Sequence, residues 1–433
     1  MNTNEKPENV FKSRNYRLVF FGALVSELGA VLYSFAVSFY ILELTENNAF
    51  LQGLYLALCG AVFLVATPIG GVLGDRLNKA KIMFLCDYIR GTLILLAMLG
   101  MLLFPAQKAH LFILFAAGVL GNAIGGIFSP AAGALLPHIV DEQRLQQANA
   151  YFSVKSALQS IFGVVLAGVL YAALSIQTLF LVVGLCYILS GVSEMFIRYT
   201  HTRSADRLTL RLAFTDIGEG MRYLGMQKPI LVLMLGCLFI NFFVSPIYGN
   251  FIPYFVKTDI ALAPAYLLDR VLTPELWSSV FNMMIGVSTL IGSVILSARP
   301  QEDKVGHKTA VRLCIMAGIL LALTLGYVLL VDRSGKLDLF LVLFCFGTLL
   351  IGFFLPYINI PINTVLMRVV DRDKLSKVTS FTSILSQGLI PIGSMLAGIV
   401  LQSFGSSMLL ILSTLGFAAT ALALLFGKET GKI

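Results

Sequence analysis

At 433 residues the chain is 58% hydrophobic and only 12% charged, about half the charged share of roughly 25% in soluble domains. Its apolar residues come in blocks of about 20 or more, enough to cross roughly 30 Å of hydrocarbon at about 1.5 Å per residue. This excludes a soluble globular enzyme and indicates an all-α, polytopic membrane protein. The formal net charge of +8 is no nucleic-acid footprint, because the basic residues sort by side of the membrane.

In chain order the pattern predicts twelve spans, at about 17–42, 50–74, 81–103, 110–137, 145–172, 177–198, 229–256, 277–298, 310–331, 338–367, 376–402 and 405–427. The tail Met1–Asn15 is polar, and the first apolar run is too long for a cleavable signal. With the N-terminus inside, cytoplasmic segments hold 24 of the 31 lysines and arginines and the opposite loops hold five. Both termini are therefore expected in the cytoplasm of a cell-membrane protein. The expected division is an N-tail 1–16, a six-helix bundle 17–198, a cytoplasmic linker 199–228, a second six-helix bundle 229–427 and a C-tail 428–433. In the linker, Asp216, Glu219 and Arg222 suggest a short surface helix. Trp277, the sole tryptophan, is expected in an aromatic belt.

All six cysteines fall in apolar runs and the four histidines lie apart, so no disulfide framework, metal site or cofactor is expected. No nucleophile–base constellation points to an enzyme.

The chain is internally duplicated. Shifted by 230 residues, Leu136, Val140, Asp141, Leu145, Ser153, Ser156, Gly163, Ala167 and Gly168 fall on Leu366, Val370, Asp371, Leu375, Ser383, Ser386, Gly393, Ala397 and Gly398. A shift of 228 brings Asp75-Arg76-Leu77-Asn78 onto Asp303-Lys304-Val305-Gly306. Six spans return the chain to the same side, so the halves run parallel, one of the known transporter architectures.

Twelve spans as 6+6, a central linker, and Gly71, Gly74, Asp75, Arg76, Asn78, Lys79 and Lys81 after span two resemble the major facilitator superfamily. That family's pattern there is G-x-x-x-D-[RK]-x-G-[RK]-[RK]; Asn78 stands at its glycine, where asparagine tolerates a left-handed turn. Phe128-Ser129-Pro130-Ala131, Leu135-Leu136-Pro137, Pro391-Ile392-Gly393 and the linker run Asp216–Leu224 resemble the drug-exporting branch that includes macrolide-efflux proteins. Two departures bear on proton antiport rather than fold. Gly163 and Gly168 keep part of the G-P-x-x-G-G helix-packing pattern of span five, but Val164 and Ala167 replace the proline and one glycine. Gly121 stands near the place of a span-four arginine.

The resemblance implies a gating role for Gly71–Lys81. Gly71 would let two helices approach closely, Asp75 would meet a helix N-terminus of the other half, and Arg76, Lys79 and Lys81 would hold the loop at the anionic face. Asp75→Asn is then expected to impair conformational cycling rather than substrate binding.

A charge at membrane depth costs about 2.5–3.5 kcal/mol on insertion scales, so it faces a cavity or a partner. Four residues qualify, all in the first half: Glu27, Asp87, Arg90 and Lys155. Glu27, ten residues beyond Arg17, is expected near mid-membrane, where burial would let it load a proton or recognise a cation; pairing with Lys155 or Arg90 is the structural alternative. Asp87 and Arg90, three apart, share a helix face. Asn122, Asn241, Asn250, Asn359, Asn363 and Gln387 are polar candidates for a cavity wall or for helix–helix hydrogen bonds. Pro246, Pro253, Pro356, Pro361 and Pro391 are expected to break or bend spans seven, ten and eleven.

Together these features imply a monomeric secondary transporter working by alternating access. It would export amphipathic small molecules, with the proton gradient rather than a cofactor as energy source and the bilayer as its other partner. A lipid or lysophospholipid flippase, a siderophore exporter, and a non-transporting sensor or scaffold remain open.

Overall fold

In hydrocarbon a backbone must satisfy its own polar groups, and a single chain segment does so only as a helix. The computed structural model describes residues 10–140, 144–198, 222, 225–297, 304–369, 382, 384–428 and 430. A 3-10 turn, Val10–Lys12, precedes α1 (Arg14–Leu44), α2 (Ala49–Arg76), α3 (Lys79–Leu103), α4 (Gln107–Ile139), α5 (Leu145–Leu158), α6 (Val164–Ala173) and α7 (Ile176–Met195). Then come α8 (Lys228–Pro246), α9 (Ile252–Phe255), α10 (Pro274–Ser297), α11 (Val305–Gly326), α12 (Leu337–Val369) and α13 (Ile390–Phe426). Asp216 and Glu219, expected on a linker helix, lie outside the described residues.

Among the described residues, eleven helical stretches are long and apolar enough to span a membrane. The last helix, α13, has 37 residues, far more than the roughly 20 that one crossing needs. It breaks at Gly405, whose φ of +77° and ψ of −179° are not helical, and this break falls at the predicted start of span twelve. Span five is α5 and α6 joined by a π turn, Gln159–Gly163. Span seven carries two more π turns, Ile247–Phe251 and Val256–Ile260, on either side of α9. The prolines act unevenly. Pro246 and Pro253 sit beside those irregular turns, whereas Pro356 and Pro361 lie inside the continuous α12. Pro391 occupies the first turn of α13, where its missing N–H needs no partner.

The chain forms two compact units: Met1–Val37 with Ala61–Ala213, and Ser38–Gly60 with Phe214–Ile433. Ser38–Gly60, from the ends of α1 and α2, thus groups with the C-terminal helices. Gly53 explains why: a Cβ there would stand 2.5 Å from Ser394 O and 2.9 Å from Gly398 Cα, so only two glycines allow this approach. Gln402 accepts from the Ala49 N–H at 2.8 Å, and Lys257 meets Glu275 at 2.9 Å and Glu43 at 3.7 Å.

In the first unit, Tyr16 is fully buried and donates to Ala148 O at 3.1 Å, fastening α1 to α5. In the second, Phe251, Phe255, Phe281, Phe340 and Phe344 pack with Tyr327 as an aromatic core. Trp277 is buried beside Phe281, with ring centroids 5.7 Å apart, and is not a belt residue. Its helix turns that face toward the aromatic core.

Candidate functional site

Three residues one helical turn apart bind span five to span one. Lys155 Nζ lies 2.5 Å from Glu27 Oε1, Gln159 Nε2 donates to Leu24 O at 3.2 Å, and a Cβ at Gly163 would sit 3.5 Å from Leu28. The burial of the ion pair reverses the expectation for Glu27. The carboxylate is 47% exposed, while Lys155 is only 2% exposed, its ammonium 4.7 Å from the Phe152 ring centroid. Glu27 is therefore the more exposed partner, and Lys155 is the group that depends on it. Gly168 is buried in α6.

Asp87 and Arg90 share a face of α3 as expected, with Arg90 Nη1 4.0 Å from Asp87 Oδ1. Arg90 also donates through Nε to Gly121 O at 3.2 Å and lies 5.1 Å from the Tyr187 ring centroid. Asp87 is wholly buried, and neither of its oxygens has a hydrogen-bond partner among the described residues. Beside it is an acid that sequence reasoning missed. Glu194, in the last turn of α7, is also wholly buried, and among the described residues both its oxygens are unpartnered. Four residues from the predicted end of span six, it reads in sequence as an interfacial charge; its position one turn beyond Ser190 was the available signal. Gly22 of α1 covers it, and a Cβ there would stand 3.4 Å from Glu194 Cγ.

The second unit holds a cavity of about 510 Å³ whose lining includes Asn241, Asn359, Gln387, Thr382 and Ser386, with Cys237, Met234, Met316 and Phe417 among its apolar walls. Among the described residues no charged side chain lines it. Three of the six predicted amides meet here. Asn241 donates to Ser386 O at 3.0 Å, leaving its carbonyl oxygen available. Two others do not join them: Asn250 is buried and donates to Ser394 O at 3.1 Å, and Asn122 bonds back to Gly118 O of its own helix; the side chain of Asn363 lies outside the described residues.

The turn after span two departs from expectation at three positions. A Cβ at Gly71 would meet nothing within 4 Å; the tight contact belongs to Gly70, whose Cβ would stand 2.5 Å from Ile127 Cα. Gly74 makes only ordinary contact, 3.6 Å from Ala131. Asn78 is extended (φ −64°, ψ 112°), not left-handed, because its side chain caps α3 by accepting from the Lys81 N–H at 3.2 Å. Lys79 is buried rather than held at a surface, whereas Lys81 is exposed. The side chains of Asp75 and Arg76 lie outside the described residues.

The family model of the Major Facilitator Superfamily matches residues 19–394. The chain is similar to the MFS-type transporter YvqJ of Bacillus subtilis (strain 168), at 23% identity over 91% of this chain and 87% of that one. It is likewise similar to macrolide efflux protein A of Streptococcus pyogenes, at 23% identity over 93% and 94%. Its fold resembles the crystal structure of a mutant of the nucleoside transporter NupG, with a TM-score of 0.73 at 10% identity, covering 95% of this chain and 99% of that one.

Proposed function

Because the chain belongs to the Major Facilitator Superfamily, we propose that it exports amphipathic small molecules by alternating access across twelve spans, driven by proton antiport. The observation that carries this reading is the Glu27–Lys155 pair. Protonating this half-exposed carboxylate would leave the buried Lys155 without its counter-ion. An uncompensated buried charge is costly, so protonation at this point favours rearrangement of α1 against α5. The cavity of the second unit suits the substrate class: amides and hydroxyls on an apolar wall accept a guest with a large apolar body and a few neutral polar groups. Likeness to a macrolide efflux protein supports export as the direction.

The test is efflux of a fluorescent amphiphile from proteoliposomes under an imposed pH gradient. Wild type should extrude it only when the gradient is present, and Glu27→Gln should lose the gradient dependence. Normal gradient-driven export by Glu27→Gln would remove the assignment.

A further inference from the structure

Asp87 and Glu194 present four carboxyl oxygens inside the first unit, none with a hydrogen-bond partner among the described residues. The hydroxyl of Ser190, only 1% exposed and likewise unpartnered, lies near Asp87 without reaching hydrogen-bond geometry, as does that of Ser26. Other ionisable groups lie near the pair: Cys86 and Arg90 from α3 and Tyr187 from α7, while Glu27 of α1 lies on the side of Tyr187. Among the described residues Arg90 is the cation that reaches Asp87, and its Nε is already committed to Gly121 O.

Charge balance then decides what the pair contains. Two carboxylates against one guanidinium leave one negative charge in excess where both acids are fully buried, and an uncompensated buried charge is costly. A like charge nearby and the lack of water both disfavour ionising the second acid. We propose that Asp87 and Glu194 form a proton-binding site separate from Glu27–Lys155, with the proton carried on Glu194 and Asp87 kept ionised by Arg90. Release breaks the Glu194 O–H bond and delivers H⁺ to water, leaving a carboxylate. Gly22 stands over Glu194 and Ser190, so water reaches the acid when α1 moves off α7.

Infrared spectroscopy of the purified full chain tests this directly. Near neutral pH, wild type minus Glu194→Gln should show one carboxylic-acid C=O stretch that shifts on deuterium exchange, and the band should persist in Glu27→Gln. Wild type alone should show the band near neutral pH, which guards against a variant that fails to fold. A wild type with no exchangeable carboxylic-acid band, or a difference spectrum without one, overturns the proposal. So does a band that disappears when sodium replaces potassium at constant pH, since that assigns a metal cation to the site. The use of this proton in transport rests on the antiport reading: if the band is present while export ignores the pH gradient, that reading fails and the proton site stands.

Discussion

The first unit buries Asp87, Glu194 and Lys155 within its spanning helices, whereas the cavity of the second is lined by amides, hydroxyls and apolar groups. The two units thus differ in their polar chemistry. One feature is common to both. Arg90 on α3 and Arg312 on α11 each donate to a backbone carbonyl of the next long helix, Gly121 O and Tyr357 O, and each lies over a tyrosine ring. Arg90 in addition has the buried carboxylate of Asp87 beside it. The difference suggests a division of labour, with titration in the first unit and neutral recognition in the second.

Four sets of substitutions probe that contrast. The largest effect is expected at the ion pair. Glu27→Gln strands the buried Lys155 and should cost about 3 kcal/mol, the insertion-scale penalty for a charge at membrane depth, seen as a lower Tm in detergent. Lys155→Met with Glu27→Gln should restore stability but not gradient-driven export. Equal Tm values for the single and double variants would deny that Lys155 depends on Glu27.

Next in size is the glycine contact of the second unit. Gly398→Leu forces a side chain onto Ala49 O and Gly53 Cα, and overpacking of this kind costs about 1–3 kcal/mol. It should free Ser38–Gly60 from the C-terminal helices, read as faster thiol labelling at buried Cys59. Unchanged labelling would show that this segment is held by other contacts.

Within the cavity, Asn359→Leu or Gln387→Leu should each weaken substrate affinity roughly fivefold, the loss of about one net hydrogen bond, without altering the pH dependence of export. A shift in pH dependence would place coupling in the second unit and end the contrast. The smallest effects are expected at the turn. Asn78→Ala removes the α3 cap and should cost about 1 kcal/mol, while Gly71→Ala, facing open space, should be neutral or slightly stabilising. Both are read from the same thermal unfolding curves.

Much of this was legible in residue order, because hydrocarbon imposes strict rules on it. The all-helical, membrane-spanning character and the pairing of Asp87 with Arg90 follow from helical rise and periodicity. Meeting of Asn241, Asn359 and Gln387 at one cavity was foreseeable as a polar wall, though not which amides would form it. Exposure was not legible. Lys155 and Glu27 were each placed within a span, but only packing against Phe152 and the α1–α5 contact decides that the lysine is the buried partner. Gly70 and Gly71 are neighbours with nothing in composition to separate them; the direction of a helix face toward Ile127 separates them.

Residue order thus establishes that this chain is a bundle of spanning helices with an internal repeat, and it identifies most of the few charges within them. The cost of placing polar groups in hydrocarbon is local and shows in composition. Which carboxyls are sealed depends on packing. Glu194 lies near a predicted helix end, and Gly22 of a helix some 170 residues earlier helps turn that end into an interior. Burial is set by what packs across a side chain, and that neighbour is distant in sequence.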